Sequence, residues 1–263
     1  MHDDTHRPKA RPAMPQNTDY QTIFNQRGNS YHQAMAEYPE ARDEEFFNII
    51  RLADLQQGQT VCDAPSGGGY LQRYLPYENL EVIALETSKA FHQHCKANGK
   101  CHAILTELDN IDLPDASADC VISLAGLHHL PDRPAFFRET YRILKSGGSC
   151  CVADVTTNTQ VAEFLNGFVD QFNSMGHQGN FFDSDAPTEL ESTGFRVVEH
   201  YLKSYHWNFQ NVEEMCRYVT LLFGLDLAKP EDVLKGIERH LGFQIVDGVC
   251  QMNWALLFMK GIK

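Results

Sequence analysis

The chain has 263 residues, 43% of them hydrophobic and 22% charged, a composition that is typical of globular proteins and excludes disordered, collagen-like and coiled-coil chains. Its length fits one large domain, or one domain that carries insertions. Asp and Glu number 35 against 22 Lys and Arg, so the net charge is −13. A chain this acidic repels phosphate groups, and we therefore expect neither nucleic acid nor a membrane surface as a partner.

Residues 1–18 are polar and include three prolines, and we expect them to form a flexible tail. They lack the apolar run of a secretory signal, and no segment of the chain has the roughly 18 uninterrupted apolar residues of a membrane helix. We therefore expect a cytoplasmic protein whose single domain occupies residues 19–263.

Eight cysteines are present, but the sequence contains no CxxC pair and no cysteine–histidine spacing of a zinc site. Cys62, Cys120, Cys150 and Cys151 lie in apolar runs, where cysteine behaves as a small hydrophobic residue. These positions predict reduced thiols and no metal site.

Residues 22–55 show the spacing of apolar side chains that is typical of helices. From residue 60 the pattern changes to short apolar runs that alternate with amphipathic stretches. Such alternation is typical of βαβ units and predicts a parallel sheet covered by helices on both faces. The predicted strands are residues 60–64, 81–86, 102–108, 119–125 and 149–155.

The alternation weakens after Val155. Helical patterns cover residues 158–175, 186–194, 211–224 and 230–241, and strand patterns cover residues 196–207 and 253–260. The first of these two strands alternates like an antiparallel strand. We expect helical insertions at about 157–180 and 208–245, which are natural lids or substrate-binding elements.

The most informative segment is Val61-Cys-Asp-Ala-Pro-Ser-Gly-Gly-Gly-Tyr70, in which an apolar strand ends in Asp63 and runs into three glycines. Glycines at such a turn let the backbone approach a ligand closely, and a following helix offers free N–H groups. In an open α/β sheet, ligands bind in this strand-to-helix crevice. Glu86 ends the second strand beside the crevice, where its carboxylate can accept hydrogen bonds from both hydroxyls of a ribose.

A third segment, LDNIDLPDASADCVISLAGLHHLPDRPAFFRETYRILKSGG, follows at residues 108–148. Together the three segments resemble the class I S-adenosylmethionine-dependent methyltransferases, in particular the small-molecule group with a methyltransferase-11/25-like domain. The match covers about residues 58–155. It implies a Rossmann-like, doubly wound α/β fold with a seven-stranded, mostly parallel sheet and an antiparallel last strand. It also implies S-adenosylmethionine as cofactor, S-adenosylhomocysteine as its product and a small molecule as methyl acceptor.

The same resemblance assigns the cofactor to residues at the ends of the strands. Asp63 would anchor the glycine loop and face the methionine end of the cofactor, while Gly67 and Gly69 make the close approach. Glu86 would hold the ribose hydroxyls, with Thr87 near the adenine. The remaining cofactor residues of these motifs are Ala64, Pro65, Asp109, Asn110, Leu124 and Ala125, of which Asp109 would accept the adenine amino group.

Tyr31 resembles a tyrosine that many members of the family fold over the cofactor, and Arg27 lies four residues earlier, on the same face of a helix. N-terminal helices at about 19–56 would then close over the site and exclude water. Pro65 departs from the family pattern, because it replaces the first glycine of the loop and removes one N–H. We expect cofactor binding to survive, since Gly67 and Gly69 are intact.

Catalysis of methyl transfer is largely positioning of the acceptor, and a base is needed only where the nucleophile must lose a proton. His128 and His129 follow the fourth strand, near the expected acceptor, and imidazole suits the role of base. We name both as candidate catalytic residues, and expect an O or N atom to be methylated. Large apolar residues that could line the acceptor pocket are Phe181, Phe182, Tyr205, Trp207, Met215, Tyr218 and Phe223.

Two other functions stay open. A nicotinamide-dependent oxidoreductase would share the glycine turn and the second-strand acid, although the G-x-G-x-x-G spacing is absent from this chain. A non-catalytic relative, which binds the cofactor without transferring a methyl group, is favoured only by Pro65. The sequence makes no prediction of the oligomeric state.

Overall fold

The computed structural model describes residues 20–263, so the tail predicted at 1–18 lies outside the described residues. Within them, eight strands form one sheet. They are β1 (Thr60–Asp63), β2 (Glu81–Glu86), β3 (His102–Leu105), β4 (Ala118–Leu124), β5 (Leu144–Asp154), β6 (Arg196–Phe209), β7 (Phe243–Val246) and β8 (Val249–Ile262).

Helices pack on both sides of this sheet. The α-helices are α1 (Tyr20–Glu37), α2 (Asp43–Ala53), α3 (Lys89–Asn98), α4 (Arg133–Ile143), α5 (Gln160–Glu163), α6 (Asp170–Phe172), α7 (Ala186–Glu191), α8 (Val212–Phe223) and α9 (Pro230–His240). A π-helical stretch, Phe164–Val169, joins α5 to α6, and short 3-10 helices occupy Tyr70–Tyr74 and Leu127–His129.

The sheet order is β3-β2-β1-β4-β5-β8-β6, with β7 paired to β8 beside this path. Strands β1 to β5 pair in parallel, whereas β8 runs antiparallel to both β5 and β6. The chain changes direction across the sheet between β3 and β4, so β1 and β4 border the crevice where open α/β sheets bind ligands. The predicted Rossmann-like, seven-stranded sheet with an antiparallel last strand is confirmed, and β7 adds to it.

Each face of the sheet carries a hydrophobic layer, because successive side chains of a strand point to opposite faces. Along β4, Cys120 and Ile122 pack in the layer that contains Ile49 of α2, whereas Val121 packs in the layer that contains Phe136 of α4. None of the helices within residues 20–263 is long and apolar enough to span a membrane.

Two helical predictions are modified by prolines. The segment 22–55 is divided into α1 and α2, because a proline disfavours helix in the residue before it and Pro39 lies two residues after the end of α1. After the glycine loop, the expected helix is only a five-residue 3-10 helix, since Pro76 follows it closely. The loop therefore has no long helix behind it.

The insertion predicted as helical at about 208–245 also contains a strand. After α8 and α9 the chain forms β7, which makes a hairpin with β8 through Asp247 and Gly248. Both turn residues have positive φ values, of 51° and 82°, which a two-residue hairpin of this kind requires. The Asp-Gly pair was therefore a local signal for this hairpin.

Candidate functional site

The glycine loop after β1 follows a path that residues with a side chain rarely adopt. Gly67, Gly68 and Gly69 have φ values of 59°, 106° and 81°, in the left-handed region that glycine enters without strain. This path directs the Gly67 N–H to the carboxylate of Glu86, which accepts a hydrogen bond from it. The loop and the end of β2 are thereby joined across the crevice.

Glu86 is fully buried, and polar groups surround its carboxylate. Its Oε1 accepts hydrogen bonds from the Tyr20 hydroxyl at 3.2 Å and from Ser66 Oγ at 3.4 Å, and its Oε2 accepts one from the Ser88 N–H at 3.4 Å. Burial raises the pKa of Glu86 to about 8, although the hydrogen bonds oppose the shift. The Tyr20 hydroxyl donates to the carboxylate as a ribose hydroxyl would.

Asp63 enters the same crevice from the end of β1 and is 3% exposed. Its Oδ2 is buried and has no hydrogen-bond partner among the described residues. Burial, and next the charge of Glu86, raise the pKa of Asp63 well above its usual range. Two interacting buried acids fit a ligand that brings positive charge. S-adenosylmethionine carries a sulfonium and an amino group, so the residues present fit the cofactor that the motifs imply.

Pro65, the departure from the family pattern, packs against Gly126. A Cβ atom at position 126 would lie 2.5 Å from Pro65 Cγ, so glycine is needed there to leave room for the proline ring. The Ala64–Pro65 peptide is cis. Ala64 is fully buried, and its N–H donates to the Ile122 carbonyl at 2.9 Å, which ties the loop to β4.

A cavity lies over the glycine loop and is closed by α1; we call it the cofactor cavity. Its roof is aromatic, because the rings of Tyr20 and Phe24 on α1 pack with centroids 6.4 Å and 4.9 Å from that of Phe91 on α3. Ala64, Gly69 and Glu86, although predicted to contact the cofactor, are not part of the lining. The Glu86 carboxylate is hydrogen-bonded to three residues that are: Tyr20, Ser66 and Gly67. The predicted residues that do line it are Tyr31, Asp63, Pro65, Gly67, Leu124 and Ala125.

A second cavity, the adenine-side cavity, adjoins the first at Tyr20, which lines both. The predicted residues Thr87 and Asp109 line this second cavity, and the buried Oγ1 of Thr87 has no partner among the described residues. Asn110 is not part of its lining. The Asn110 carbonyl accepts a hydrogen bond from Thr106 Oγ1 at 3.2 Å, and its side chain is exposed.

A third cavity, the acceptor cavity, has four lining residues in common with the cofactor cavity: Phe24, Tyr31, Arg42 and Ala125. The shared walls place the two cavities side by side at the carboxyl end of β4. A ligand atom in one can therefore approach a ligand atom in the other.

The polar end of the acceptor cavity contains Arg27, His128 and His129. Arg27 was predicted beside the cofactor, but its side chain lines the acceptor cavity and not the cofactor cavity. An apolar wall of the same cavity includes Leu165, Trp207, Phe223, Trp254 and Leu256. Of the large apolar residues suggested by the sequence, Trp207 and Phe223 belong to this wall.

Asp154, which ends β5 beside β4, holds His128 in place. The ring Nδ1 lies 2.6 Å from Asp154 Oδ1, and Asp154 Oδ2 accepts the N–H groups of Leu127 and His128 at 2.8 Å and 3.2 Å. A carboxylate at Nδ1 favours the tautomer that carries its proton there and leaves Nε2 able to accept one. The residue is thus oriented as a general base requires.

His177 adds a third imidazole, with its ring centroid 5.6 Å from that of His128 and 5.3 Å from that of His129. One nitrogen of each ring lies within 4.8 Å of the others, a donor set that a transition-metal ion can use. Burial, followed by the influence of neighbouring imidazoles and of Arg27, lowers the pKa of His129 and His177 well below the usual range. The prediction of no metal rested on sequence spacing, which does not cover residues this far apart in the chain.

A buried ion pair on α2 positions the wall between the two cavities. Glu45 accepts hydrogen bonds from Arg42, from the Tyr205 hydroxyl at 2.9 Å and from Trp207 Nε1 at 2.8 Å. Arg42 Nη1 in turn donates to the Tyr31 hydroxyl at 2.7 Å. Tyr31 is therefore oriented by a charge pair that joins α1, α2 and β6.

Several of these residues were not identified from the sequence: Tyr20, Asp154, His177 and the Arg42–Glu45 pair. Asp154 had a recognisable signal, because it is an acid at the carboxyl end of a strand beside the ligand crevice. Tyr20 and His177 had none, since both reach the site from segments outside the recognised motifs.

Comparison with known proteins agrees with these motifs. Residues 62–152 match the family model Methyltransf_11, a methyltransferase domain. A Mycolicibacterium smegmatis protein named as a probable S-adenosylmethionine-dependent methyltransferase is 31% identical over 153 residues, which are 57% of this chain and 56% of that protein. A malonyl-[acyl-carrier protein] O-methyltransferase of Serratia marcescens is 25% identical over 128 residues, 48% of this chain and 49% of that one. The chain thus spans about half the length of these two relatives.

The fold recurs in solved methyltransferase structures. A Haemonchus contortus phosphoethanolamine N-methyltransferase, in complex with phosphomonomethylethanolamine and S-adenosylhomocysteine, matches with a TM-score of 0.60 at 16% identity. The match covers 95% of this chain and 61% of that one, and at this identity it shows the fold alone. Residues 62–152 thus form a methyltransferase domain that is similar to those of the S-adenosylmethionine-dependent methyltransferases.

Proposed function

We propose that the protein transfers a methyl group from S-adenosylmethionine to an O or N atom of a small molecule. One observation carries the proposal: the acid-containing cofactor cavity and the histidine-containing acceptor cavity meet at four shared residues. S-adenosylmethionine, when bound, supplies a methyl group that its sulfonium already activates. The protein is then required mainly to align an acceptor atom within about 3–3.5 Å of it.

The cofactor would be held by acids at the ends of three neighbouring segments. Glu86 would accept both ribose hydroxyls, one of them in the position from which Tyr20 now donates. Asp63 would face the methionine end, where its unpartnered Oδ2 needs a donor. Asp109 and Thr87, which line the adenine-side cavity, would bind the base.

His128 would accept a proton from the acceptor as the methyl group is transferred to the acceptor atom. Asp154 fixes the Nδ1–H and stabilises the imidazolium that forms, so Nε2 is the atom that receives the proton. His129 lies beside it, with ring centroids 4.1 Å apart, and lines the same cavity. Its lowered pKa keeps it neutral, which suits hydrogen bonding to the acceptor.

Calorimetric titration with S-adenosylmethionine, S-adenosylhomocysteine and NADH separates the remaining alternatives. The proposal requires micromolar binding of both sulfur compounds and no binding of NADH. Binding of NADH alone would favour an oxidoreductase. A non-catalytic relative would bind the sulfur compounds but would leave every acceptor that occupies the acceptor cavity unmethylated.

Glu86→Ala should weaken S-adenosylhomocysteine binding by about 1.5–3 kcal/mol, the range for hydrogen bonds to a charged group. Glu81, at the exposed end of the same strand, provides the matched control, and Glu81→Ala should leave the dissociation constant unchanged. Both constants are measured by calorimetry. Equal affinity of Glu86→Ala and the wild type would show that Glu86 does not hold the ribose.

Cofactor binding should tighten as the pH rises from about 6 to 8. Because burial raises the pKa of Glu86 to about 8, the free protein holds a proton there below that pH, whereas a ribose diol binds best to the carboxylate. Binding must then release a proton, and affinity should change by up to about tenfold per pH unit. Calorimetry in two buffers of different ionisation enthalpy measures this release. In Glu86→Gln, only the proton release that comes from Asp63 should remain. If the cofactor affinity of the wild type does not change with pH, the assignment of Glu86 is wrong.

A further inference from the structure

We propose that the acceptor carries an anionic group, a carboxylate or a phosphate, which Arg27 binds at the polar end of the acceptor cavity. This inference rests on the proposed function in one respect, which is that the ligand is called a methyl acceptor. The anion site itself consists of side chains of this protein, so an anion can bind there in the absence of the cofactor. Such an acceptor would combine an apolar or aromatic body with a single anionic group.

The Arg27 guanidinium is incompletely paired. Its Nε is buried and has no hydrogen-bond partner among the described residues, and its Nη2 donates only to the Leu222 carbonyl at 3.3 Å. Gly224 makes room for it, since a Cβ atom there would lie 2.5 Å from the Arg27 Nε. Burial lowers the pKa of Arg27 to about 10, which still leaves the group charged at neutral pH.

Arg27 forms no ion pair within residues 20–263. Asp226 is the acid whose charge acts on it, but Asp226 is exposed and its two oxygens bind the Ser174 N–H at 2.8 Å and the Ser174 Oγ at 2.5 Å. A buried charge without a partner is unfavourable, whereas a bound anion satisfies both the charge and the unpartnered Nε. An incoming anion would therefore meet a site that is already prepared.

The other charges of the acceptor cavity are already paired. Among residues 20–263, Glu45 is the one acid in its lining, and it is bound by Arg42, Tyr205 and Trp207. Asp154, behind His128, accepts four hydrogen bonds and is fully buried. The part of the lining that the structure describes thus has one uncompensated positive charge, in a chain whose net charge is −13. This local charge selects for an anion.

The apolar wall fits an apolar body. The rings of Trp207 and Trp254 stack with centroids 4.1 Å apart, and Phe223 lies 6.2 Å and 6.0 Å from them with nearly parallel planes. This wall offers flat aromatic surface to a ligand whose anionic group Arg27 binds in the same cavity.

The three imidazoles could instead hold a metal ion, but Arg27 disfavours that occupant. Its positive charge already lowers the pKa of His129 and His177, and it would repel a divalent cation as it repels a proton there. The same charge attracts an anion, and His129 and His177 can then add hydrogen bonds to it. The observations therefore favour an anionic ligand over a metal.

The test is calorimetric titration of matched pairs: indole-3-acetate with indole-3-acetamide, 4-hydroxybenzoate with 4-hydroxybenzamide, and phenyl phosphate with phenol. Each is titrated into the wild-type protein with and without saturating S-adenosylhomocysteine. At least one anion should bind roughly 10- to 100-fold more tightly than its neutral partner, as expected for charge-assisted hydrogen bonds. The carboxylate and phosphate arms identify which anion is preferred.

Arg27→Gln should abolish this preference, and Arg27→Lys should keep only part of it, because the charge is retained but the bidentate geometry of the guanidinium is lost. Arg217→Gln is the matched control, since Arg217 lies on the surface of α8 and pairs with Glu37. Unchanged S-adenosylhomocysteine affinity and thermal unfolding in Arg27→Gln would show that the fold and the cofactor site are intact.

The inference is wrong if no anion binds with a dissociation constant below about 1 mM, or if the neutral partners bind as tightly as the anions. It is also wrong if Arg27→Gln still prefers the anions. Zinc binding that is lost in His177→Ala would also overturn it, in favour of a metal. If anions fail but S-adenosylhomocysteine binds, only this inference is wrong. If anions bind and S-adenosylhomocysteine does not, the proposed methyltransferase function is wrong instead.

Discussion

Replacement of His128 by alanine should lower the turnover number for methyl transfer by about 10²- to 10⁴-fold, the range for loss of a general base. The dissociation constant for S-adenosylhomocysteine should stay unchanged, because His128 lines the acceptor cavity but not the cofactor cavity. Turnover is measured as S-adenosylhomocysteine formed with the anionic compounds that bind in the Arg27 experiment.

The control for this experiment is His200→Ala, which removes an exposed imidazole from β6 and should have wild-type turnover. Asp154→Asn should also reduce turnover, because an amide cannot stabilise the imidazolium, while cofactor affinity is retained. Equal rates for His128→Ala and the wild type across the pH range would remove His128 from the mechanism. The protein would then act by positioning alone.

The second large effect concerns stability. Glu45→Ala should lower the free energy of unfolding by about 3–5 kcal/mol, because it leaves the Arg42 guanidinium buried without its carboxylate. The same change removes the acceptor for the Tyr205 hydroxyl and Trp207 Nε1. A loss of this size is a large part of the total stability of an ordinary domain. Urea unfolding with linear extrapolation measures it.

Glu40→Ala is the matched control, since Glu40 is 78% exposed in its ion pair with Arg73 and such pairs contribute about 0–1 kcal/mol. Glu45→Ala should also disturb the cofactor cavity, because Arg42 would no longer be held against the Tyr31 hydroxyl. A Glu45→Ala protein as stable as Glu40→Ala would mean that the buried pair makes no net contribution.

The sheet and the cofactor residues were predictable because their determinants are local. An apolar strand that ends in Asp63 and continues into glycines identifies both the crevice and the first acid. Glu86 followed from the same reasoning, since it ends the strand that pairs next to β1. Parallel strands place their carboxyl ends at one edge, so spacing along the chain becomes proximity in space.

The acceptor side was less predictable because its determinants lie far apart in the chain. Arg27 and His128 meet only after α1 folds across the sheet, and His177 reaches them from the loop after α6. The Arg42–Glu45 pair is local, but its burial depends on Trp207 and Tyr205 of β6. A helical pattern indicates which face of a helix is buried, not which distant strand covers it.

Helix α1 contributes to both ligand sites at once: Phe24 and Tyr31 line both cavities, Tyr20 bonds to Glu86, and Arg27 lines the acceptor cavity. Any displacement of this helix by one ligand therefore changes the free energy of binding the other. Thermodynamic linkage makes the effect reciprocal, so the factor by which the cofactor tightens acceptor binding is also the factor by which the acceptor tightens cofactor binding. The same coupling applies to the two products, because each would stabilise the binding of the other while α1 covers both sites. Dissociation of the first product would therefore speed dissociation of the second.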